Sequence, residues 1–139
     1  ALPGRALDAW ACQAIAGGWL DELVAYACRE VAPMVRRLHE RGLVHRDLYW
    51  NHLFSEDPRR GAPPALLDVE RVFAPRWQWR RWLVKDLAGL LASCPEEVPL
   101  RPRLRFLRNY LGTLGGEQRL LAAIDAKAAR MRRHVPKFG

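Results

Sequence analysis

Apolar residues recur every three or four positions along five stretches of the chain, the spacing that places them on one face of a helix. These stretches are residues 7–15, 20–41, 77–93, 103–114 and 117–133. Pro33 lies inside the second stretch and predicts a kink or a split there, because proline has no N–H to donate to the preceding turn. Glycine pairs follow the first stretch and separate the last two, where they predict breaks between helices.

The middle of the chain has a different pattern. Three short apolar stretches, residues 43–45, 52–54 and 65–69, predict strands. The turn-forming residues between the last two, 55–64, predict an exposed loop. The predicted order is helices, then a few short strands, then helices again. This order predicts a mainly α-helical fold with a small number of short β-strands.

Length and composition agree with one globular domain. The chain has 139 residues, half of them apolar and about a quarter charged, enough for one hydrophobic core. No apolar run approaches the ~18–20 residues of a membrane span, and the first residues lack the layout of a signal peptide. The chain begins with Ala rather than Met, so we expect a piece of a longer protein. The three scattered cysteines predict reduced, buried thiols and a cytoplasmic location.

The net charge of +8 comes mostly from arginine, whose planar guanidinium suits phosphate oxygens. The charge indicates an anionic partner, which could be a nucleotide, a phosphorylated lipid, a membrane surface or nucleic acid. A compositional bias toward arginine explains the same excess without any partner. Arginines 101, 103, 105 and 108 could face anionic lipid or simply be solvated, and the tryptophan–arginine segment 76–82 could contact an acceptor or begin a core helix.

One stretch of the chain contains candidate catalytic residues. Residues 45–52 read His-Arg-Asp-Leu-Tyr-Trp-Asn-His, close to the H-R-D-L-x-x-x-N pattern of a kinase catalytic loop. A second aspartate, Asp68, follows 21 positions after Asp47 and ends an apolar stretch. Phosphoryl transfer needs a carboxylate beside the acceptor hydroxyl and a divalent cation across the nucleotide phosphates. Asp47 suits the first task, and Asp68 supplies the hard oxygen ligand that magnesium prefers.

The pattern differs from ordinary protein kinases, because His52 stands at the asparagine position and Asp-Val-Glu replaces Asp-Phe-Gly. The run H-R-D-L-Y-x-x-H resembles the Kdo/WaaP lipopolysaccharide kinases, as do Asp68, the Glu70-Arg71 pair and the segment that begins Lys85-Asp86. The similarity covers roughly residues 20–95. It implies the C-terminal lobe of a protein-kinase-like fold and ATP- and Mg²⁺-dependent phosphorylation of a sugar hydroxyl, on Kdo or heptose, in the lipopolysaccharide inner core.

The resemblance also implies partners and a location. The partners would be ATP, a lipopolysaccharide core sugar as acceptor and an anionic membrane contacted peripherally; no nucleic acid is expected. The protein would work in the cytoplasm, on the inner face of the inner membrane.

The candidate site residues take distinct roles. Asp47 is the catalytic candidate, and Asp68 with His52 is the candidate metal pair. His52 could contact the metal, contact a phosphate, or be a packed core histidine. Asn51 is a second nucleotide-contacting candidate, a better oxygen ligand than imidazole but one position early.

Three further residues are candidates for support of the loop. His45 is expected to pack and hydrogen-bond beneath it, and Arg46 to pair with a carboxylate or a phosphate. Asp86, on the helix after the metal aspartate, resembles the kinase residue that accepts hydrogen bonds from loop N–H groups near His45 and Arg46.

Two alternatives stay open at this level. The Gly-rich loop and strand lysine with which kinases hold the nucleotide phosphates are not found in residues 1–139, which we therefore interpret as one C-terminal lobe without its N-terminal lobe. A degenerate lobe could be a non-catalytic module that binds anionic lipid or nucleic acid through arginine. A kinase-like enzyme could instead use a small-molecule or protein acceptor.

Overall fold

A computed structural model describes residues 4–112 and 118–134. The main elements, in chain order, are β1 (Arg5–Ala6), α1 (Leu7–Gly17), α2 (Leu20–Tyr26), a π-helical segment (Ala27–Val31), α3 (Ala32–Glu40), β2 (Leu53–Ser55), β3 (Ala65–Leu66), α4 (Trp79–Ser93), α5 (Leu100–Leu111) and α6 (Gln118–His134). Short 3₁₀ turns lie at Trp50–His52, Pro58–Arg60 and Val69–Arg71. The mainly helical fold with a few short strands is confirmed.

The strands form one small antiparallel sheet in the order β1-β2-β3. β1 pairs with β2 through Arg5 and Ser55, and β2 pairs with β3 through Leu53 and Leu66. The strand predicted over residues 43–45 is reduced to a single antiparallel bridge between Val44 and Phe73. The strand predicted over residues 65–69 ends early, so that Asp68 lies beyond it.

The long helix predicted over residues 20–41 is present, with a π-helical segment directly before Pro33. The backbone N–H of Ala32 donates to the carbonyl of Ala27, one residue further back than in an α-helix. The carbonyl of Cys28 would then require an N–H at Pro33, which proline lacks. The side-chain amide of Asn109, on α5, donates to that carbonyl at 2.8 Å and so replaces the missing donor.

The core lies between the helices and beneath the sheet. α4 packs against α6, and α3 packs against α5. The side chains of Leu23, Leu87 and Ile124 are almost completely buried there. The hydroxyl of Tyr26 ties the helical core to the loop after β2, because it donates to the carbonyl of Ala62. Among the described residues, no helix is both long and apolar enough to cross a bilayer.

Some sequence-based expectations differ from the structure. Cys12 is exposed rather than buried. Arg103 does not join a basic outer face, because its guanidinium turns inward and donates to the carbonyls of Pro95, Val98 and Leu91. The helix predicted from residue 77 begins at Trp79, and the one predicted from residue 103 begins at Leu100. The predicted break at residues 115–116 lies outside the described residues.

Candidate active site

The segment that follows α3 carries the candidate catalytic residues. Gly42 adopts a left-handed conformation (φ 75°), which ends the helix and which glycine enters without steric cost. Val44 then bridges to Phe73, and the chain reaches His45, which is fully buried. Its Nε2 donates to the carbonyl of Leu67 at 2.9 Å. This bond ties the loop that contains Asp47 to the segment that contains Asp68.

Asp86, which has no exposed surface, lies directly beneath this loop. Its Oδ2 accepts the backbone N–H of His45 and its Oδ1 accepts the backbone N–H of Arg46, both at 2.9 Å. Arg46 has a left-handed backbone (φ 84°), a conformation that costs a non-glycine residue about 1–3 kcal/mol. Two charge-assisted hydrogen bonds offset a cost of that size. These are the contacts expected of a loop-supporting carboxylate.

One face of α4 follows the loop along its length. Gly89 and Ser93 lie three and seven positions after Asp86, so they share its side of the helix. The backbone oxygen of Leu48 lies 2.6 Å from where a Cβ on Gly89 would be. The Ser93 hydroxyl accepts the backbone N–H of Trp50 at 3.1 Å. The face formed by Asp86, Gly89 and Ser93 therefore contacts the loop at successive positions, and the glycine permits the close approach.

A buried network extends from Asp86 to α5. His39 Nε2 lies 2.9 Å from Asp86 Oδ2, and His39 Nδ1 lies 2.6 Å from the Tyr110 hydroxyl. A carboxylate accepts, so Nε2 carries a proton, and in the neutral ring Nδ1 accepts from the Tyr110 O–H. Burial raises the pKa of the Tyr110 hydroxyl, and the nearby Asp86 charge raises it further. Tyr110 therefore remains a proton donor, and Asp86 receives three hydrogen bonds from the described residues.

The candidate carboxylates of Asp47 and Asp68 are linked through the 3₁₀ turn Val69–Arg71. Asp47 is partly buried, and Arg71 Nη1 donates to its Oδ2. Asp68 has a left-handed backbone (φ 54°) and begins the 3₁₀ turn that carries Arg71. The side chain of Asp68 is 46% exposed, and its Oδ2 lies 3.2 Å from His52 Nε2. Asp68 therefore lies in a turn beyond β3 and not in the strand predicted over residues 65–69, and the contact of Arg71 with Asp47 links this turn to the loop.

His52 connects the two aspartates. Its Nδ1 contacts the backbone carbonyl of Asp47, and its Nε2 faces the carboxylate of Asp68. Its side chain is 19% exposed. Asn51 is exposed in the same 3₁₀ turn, and no hydrogen bond to its side chain is found among the described residues.

No group of three or more His, Cys, Asp or Glu side chains is arranged to hold a metal ion by itself within residues 4–112 and 118–134. A nucleotide-bound cation needs fewer protein ligands, because phosphate oxygens and water complete its coordination. The residues that could hold such a cation are Asp68 and His52. Their roles, and that of Asn51, remain predictions.

Sequence reasoning missed four residues of this region. Arg71 enters only through the family resemblance, which implies no contact for it. Neither His39 nor Tyr110 has a local sequence signal for the network that the structure shows. Gly89 could have been found from its position three residues after Asp86, on the same helix face.

Three features define the C-terminal lobe of a protein-kinase-like protein. They are a mainly helical fold, a loop whose catalytic-type aspartate is supported by a helix carboxylate, and a second aspartate close by. The model of the lipopolysaccharide kinase (Kdo/WaaP) family matches residues 3–110. The chain belongs to this family.

Relatives with curated names agree. The lipopolysaccharide core heptose(I) kinase WaaP of Escherichia coli K12 is 34% identical over 119 residues, which are 78% of this chain and 45% of the relative. WaaP of Pseudomonas aeruginosa is 33% identical over 119 residues, or 78% of this chain and 44% of the relative. The chain thus spans less than half the length of these relatives.

A solved structure supports the fold assignment. It is described as WaaP in complex with acyl carrier protein and is similar to this chain with a TM-score of 0.76 and 27% sequence identity. The match covers 93% of this chain and 58% of the solved chain.

Proposed function

We propose that the full-length protein is an ATP-dependent kinase that phosphorylates a sugar hydroxyl of the lipopolysaccharide inner core, and that this chain supplies its catalytic loop. The observation that carries the proposal is the bridge made by His52. One ring contacts the backbone carbonyl of Asp47 and the carboxylate of Asp68, and so links the loop of the candidate base to the candidate metal ligand. The names of the curated relatives favour heptose over Kdo as the acceptor sugar.

In this mechanism, Asp47 orients the acceptor hydroxyl and accepts its proton as the oxygen attacks the γ-phosphorus. Its partial burial limits competition from water. Arg71 contacts one of its oxygens and leaves the other for the acceptor. The contact restricts rotation of the carboxylate, which is what a positioned base requires.

The same site fits the cation that accompanies ATP in kinases. Asp68 offers a carboxylate oxygen, and His52 offers a ring nitrogen 3.2 Å from it. Mg²⁺ bound here would neutralise phosphate charge as it shifts toward the leaving group. Asn51, exposed beside His52, is proposed to contact the nucleotide phosphates.

The loop owes its shape to residues that do not touch substrate. Asp86 holds the N–H groups of His45 and Arg46, and His45 in turn binds the carbonyl of Leu67. We propose structural support as the role of all three. The Arg46 guanidinium is exposed, and no ion pair to it is found in the described part of the chain.

Phosphate transfer from ATP to isolated lipopolysaccharide that lacks the phosphate tests the proposal. With the full-length protein, Asp47→Ala and Asp68→Ala should each lower the rate of transfer by at least about a hundredfold. Asp125→Ala, on an exposed face of α6, is the matched control and should leave the rate unchanged. Wild-type rates in the Asp47→Ala protein would refute the assignment of the base, and no transfer by the wild type would refute the function.

Two further partners are proposed. The solved relative was obtained with acyl carrier protein, and we propose that this protein binds the same carrier; co-elution of the purified pair tests it. Peripheral contact with anionic lipid, in the cytoplasm, is proposed from the net charge. Sedimentation with vesicles that contain anionic lipid, compared with neutral vesicles at rising salt, tests that contact.

A further inference from the structure

The outer face of α5 combines leucine and arginine side chains. Leu100 and Leu104, one helical turn apart, are 69% and 37% exposed. Arg108 continues this row by another turn, and Arg101 and Arg105 form a second row beside it, because residues four apart are neighbours along a helix. All three arginines are exposed, and α5 contains no acidic residue. The face is therefore both apolar and cationic.

A groove separates this face from the π-helical segment. It has a volume of about 460 Å³, and its lining includes Arg29, Arg105 and Arg108. Arg29 Nε lies 3.6 Å from Glu30 Oε1, and in the described part of the chain no ion pair to Arg105 or Arg108 is found. Three guanidinium groups offset by one carboxylate leave the groove positively charged, which favours an anion.

The two sides of the groove are held together by a hydrogen bond. The side-chain amide of Asn109 donates to the carbonyl of Cys28 at 2.8 Å. Asn109 directly follows Arg108, and Cys28 directly precedes Arg29. The bond therefore fixes the separation of the two backbone segments that carry these arginines. A preformed arrangement of donors loses less entropy when a ligand binds.

The chemistry of the face favours a phosphate group carried by a membrane lipid. Guanidinium groups bind phosphate oxygens in pairs. Exposed leucines beside cations are typical of helices that lie in a membrane interface, whereas leucine is under-represented in the hot spots of protein interfaces. Asp21 and Glu97 line a neighbouring groove together with Arg101 and Arg105. We therefore centre the site on the end of the face that holds Arg105 and Arg108.

We propose that the groove lined by Arg29, Arg105 and Arg108 binds the phosphate group of an anionic membrane lipid, while Leu100 and Leu104 enter the membrane interface beside it. The inference rests on the proposed function and assigns its membrane contact to one site. A site of this kind depends on the guanidinium geometry, whereas attraction by net charge depends only on the number of charges.

The test measures binding of the full-length protein to vesicles of phosphatidylcholine with and without phosphatidylglycerol. Each arginine near an anionic surface strengthens binding about fivefold, so Arg105→Gln with Arg108→Gln should weaken binding to the anionic vesicles at least about tenfold. The matched control, Arg130→Gln with Arg133→Gln, removes the same charge from exposed positions of α6 and should weaken it less than about threefold.

Two further pairs of substitutions separate a site from diffuse charge. Arg105→Lys with Arg108→Lys keeps the charge but removes the paired donors, and should weaken binding about threefold to fivefold. Leu100→Ser with Leu104→Ser keeps every charge and should weaken binding about tenfold. Equal losses in the α5 and α6 glutamine pairs, or wild-type binding by the lysine pair, would show that only diffuse charge acts and would overturn the inference.

Two competing ligands are tested directly. Soluble glycerol phosphate should not displace the protein from the vesicles at the same phosphate concentration; complete displacement would assign the groove to a soluble phosphate. If the α5 glutamine pair loses binding to purified acyl carrier protein but not to vesicles, the face is a protein interface and the inference fails. Phosphate transfer to detergent-dispersed lipopolysaccharide by the wild type tests the proposed function separately, because that assay contains no vesicles.

Discussion

Asp86 offers the sharpest test of how the loop is held, because its substitution by asparagine changes few atoms. The carboxylate is fully buried and receives hydrogen bonds from His45 N–H, Arg46 N–H and His39 Nε2. Asn has one acceptor oxygen, and its NH₂ group must face at least one of these donors. A charge-assisted hydrogen bond contributes about 1.5–3 kcal/mol, and a buried donor left unpaired costs about 1–3 kcal/mol. We expect Asp86→Asn to lower the free energy of unfolding by about 3 kcal/mol.

Urea unfolding and native-state hydrogen exchange measure the effect. A loss of about 3 kcal/mol corresponds to a factor of about a hundred, so the amides of His45 and Arg46 should exchange about a hundredfold faster. The melting temperature should fall by about 10 °C. Asp86→Ala removes both acceptor oxygens and leaves a cavity, so it should cost more, about 5 kcal/mol.

The matched control is Asp125→Asn, which makes the same chemical change at an exposed position and should alter stability by no more than about 0.5 kcal/mol. If Asp86→Asn costs less than about 1 kcal/mol and both loop amides remain protected, the carboxylate does not hold the loop. The contacts of Gly89 and Ser93 would then be sufficient to position it.

Two further predictions concern α4 and its end. Gly89→Ala adds a Cβ 2.6 Å from the backbone oxygen of Leu48. Alanine has the better helix propensity, but this close contact should still lower the free energy of unfolding by about 1–3 kcal/mol. Phosphate transfer should also become slower. Burial raises the pKa of the Cys94 thiol from 9.0 to about 11. A thiol whose pKa is raised on folding stabilises the protein below its unfolded pKa and loses that contribution as pH rises through the folded value.

Each of these two predictions has its own readout. For Gly89→Ala, unchanged stability and an unchanged transfer rate would show that the loop can move away from α4 at no cost. For Cys94, the rate of modification by a thiol reagent should rise about tenfold per pH unit between pH 8 and 10. The wild type should also lose more stability than Cys94→Ala between pH 9 and 11. Equal losses in the two proteins would contradict the raised pKa.

Several features of the fold follow from local sequence. The helices were predictable because their apolar faces repeat along many turns, and the proline at residue 33 identified where the long helix departs from regular geometry. The loop motif was readable because its residue types stand at fixed spacing. The two-residue strand β1 was not predictable, since Arg5 and Ala6 are too few to show an alternating pattern, and only Ser55 and Phe54 across the sheet make them a strand.

The contacts of individual charged side chains were the least predictable feature. Arg103 and Arg105 are two positions apart on α5, and nothing local distinguishes them. Arg103 turns inward because three carbonyls at the end of α4 and in the following link lie within hydrogen-bond distance of its guanidinium. Arg105 remains exposed. Similarly, Arg71 contacts Asp47 only because the turn that begins at Asp68 directs it back toward the loop.

The sequence by itself determined the family, the helical faces and the identity of the two aspartates, because those depend on residue type and on spacing along the chain. Only the tertiary structure decided which groups meet. These contacts are the three hydrogen bonds to Asp86, the position of the His52 ring between Asp47 and Asp68, and the close approach of the loop to α4 at Gly89. The physical reason is that hydrogen bonds and close packing depend on distances of a few ångströms between residues far apart in sequence. Those distances arise only when the helices pack around one core.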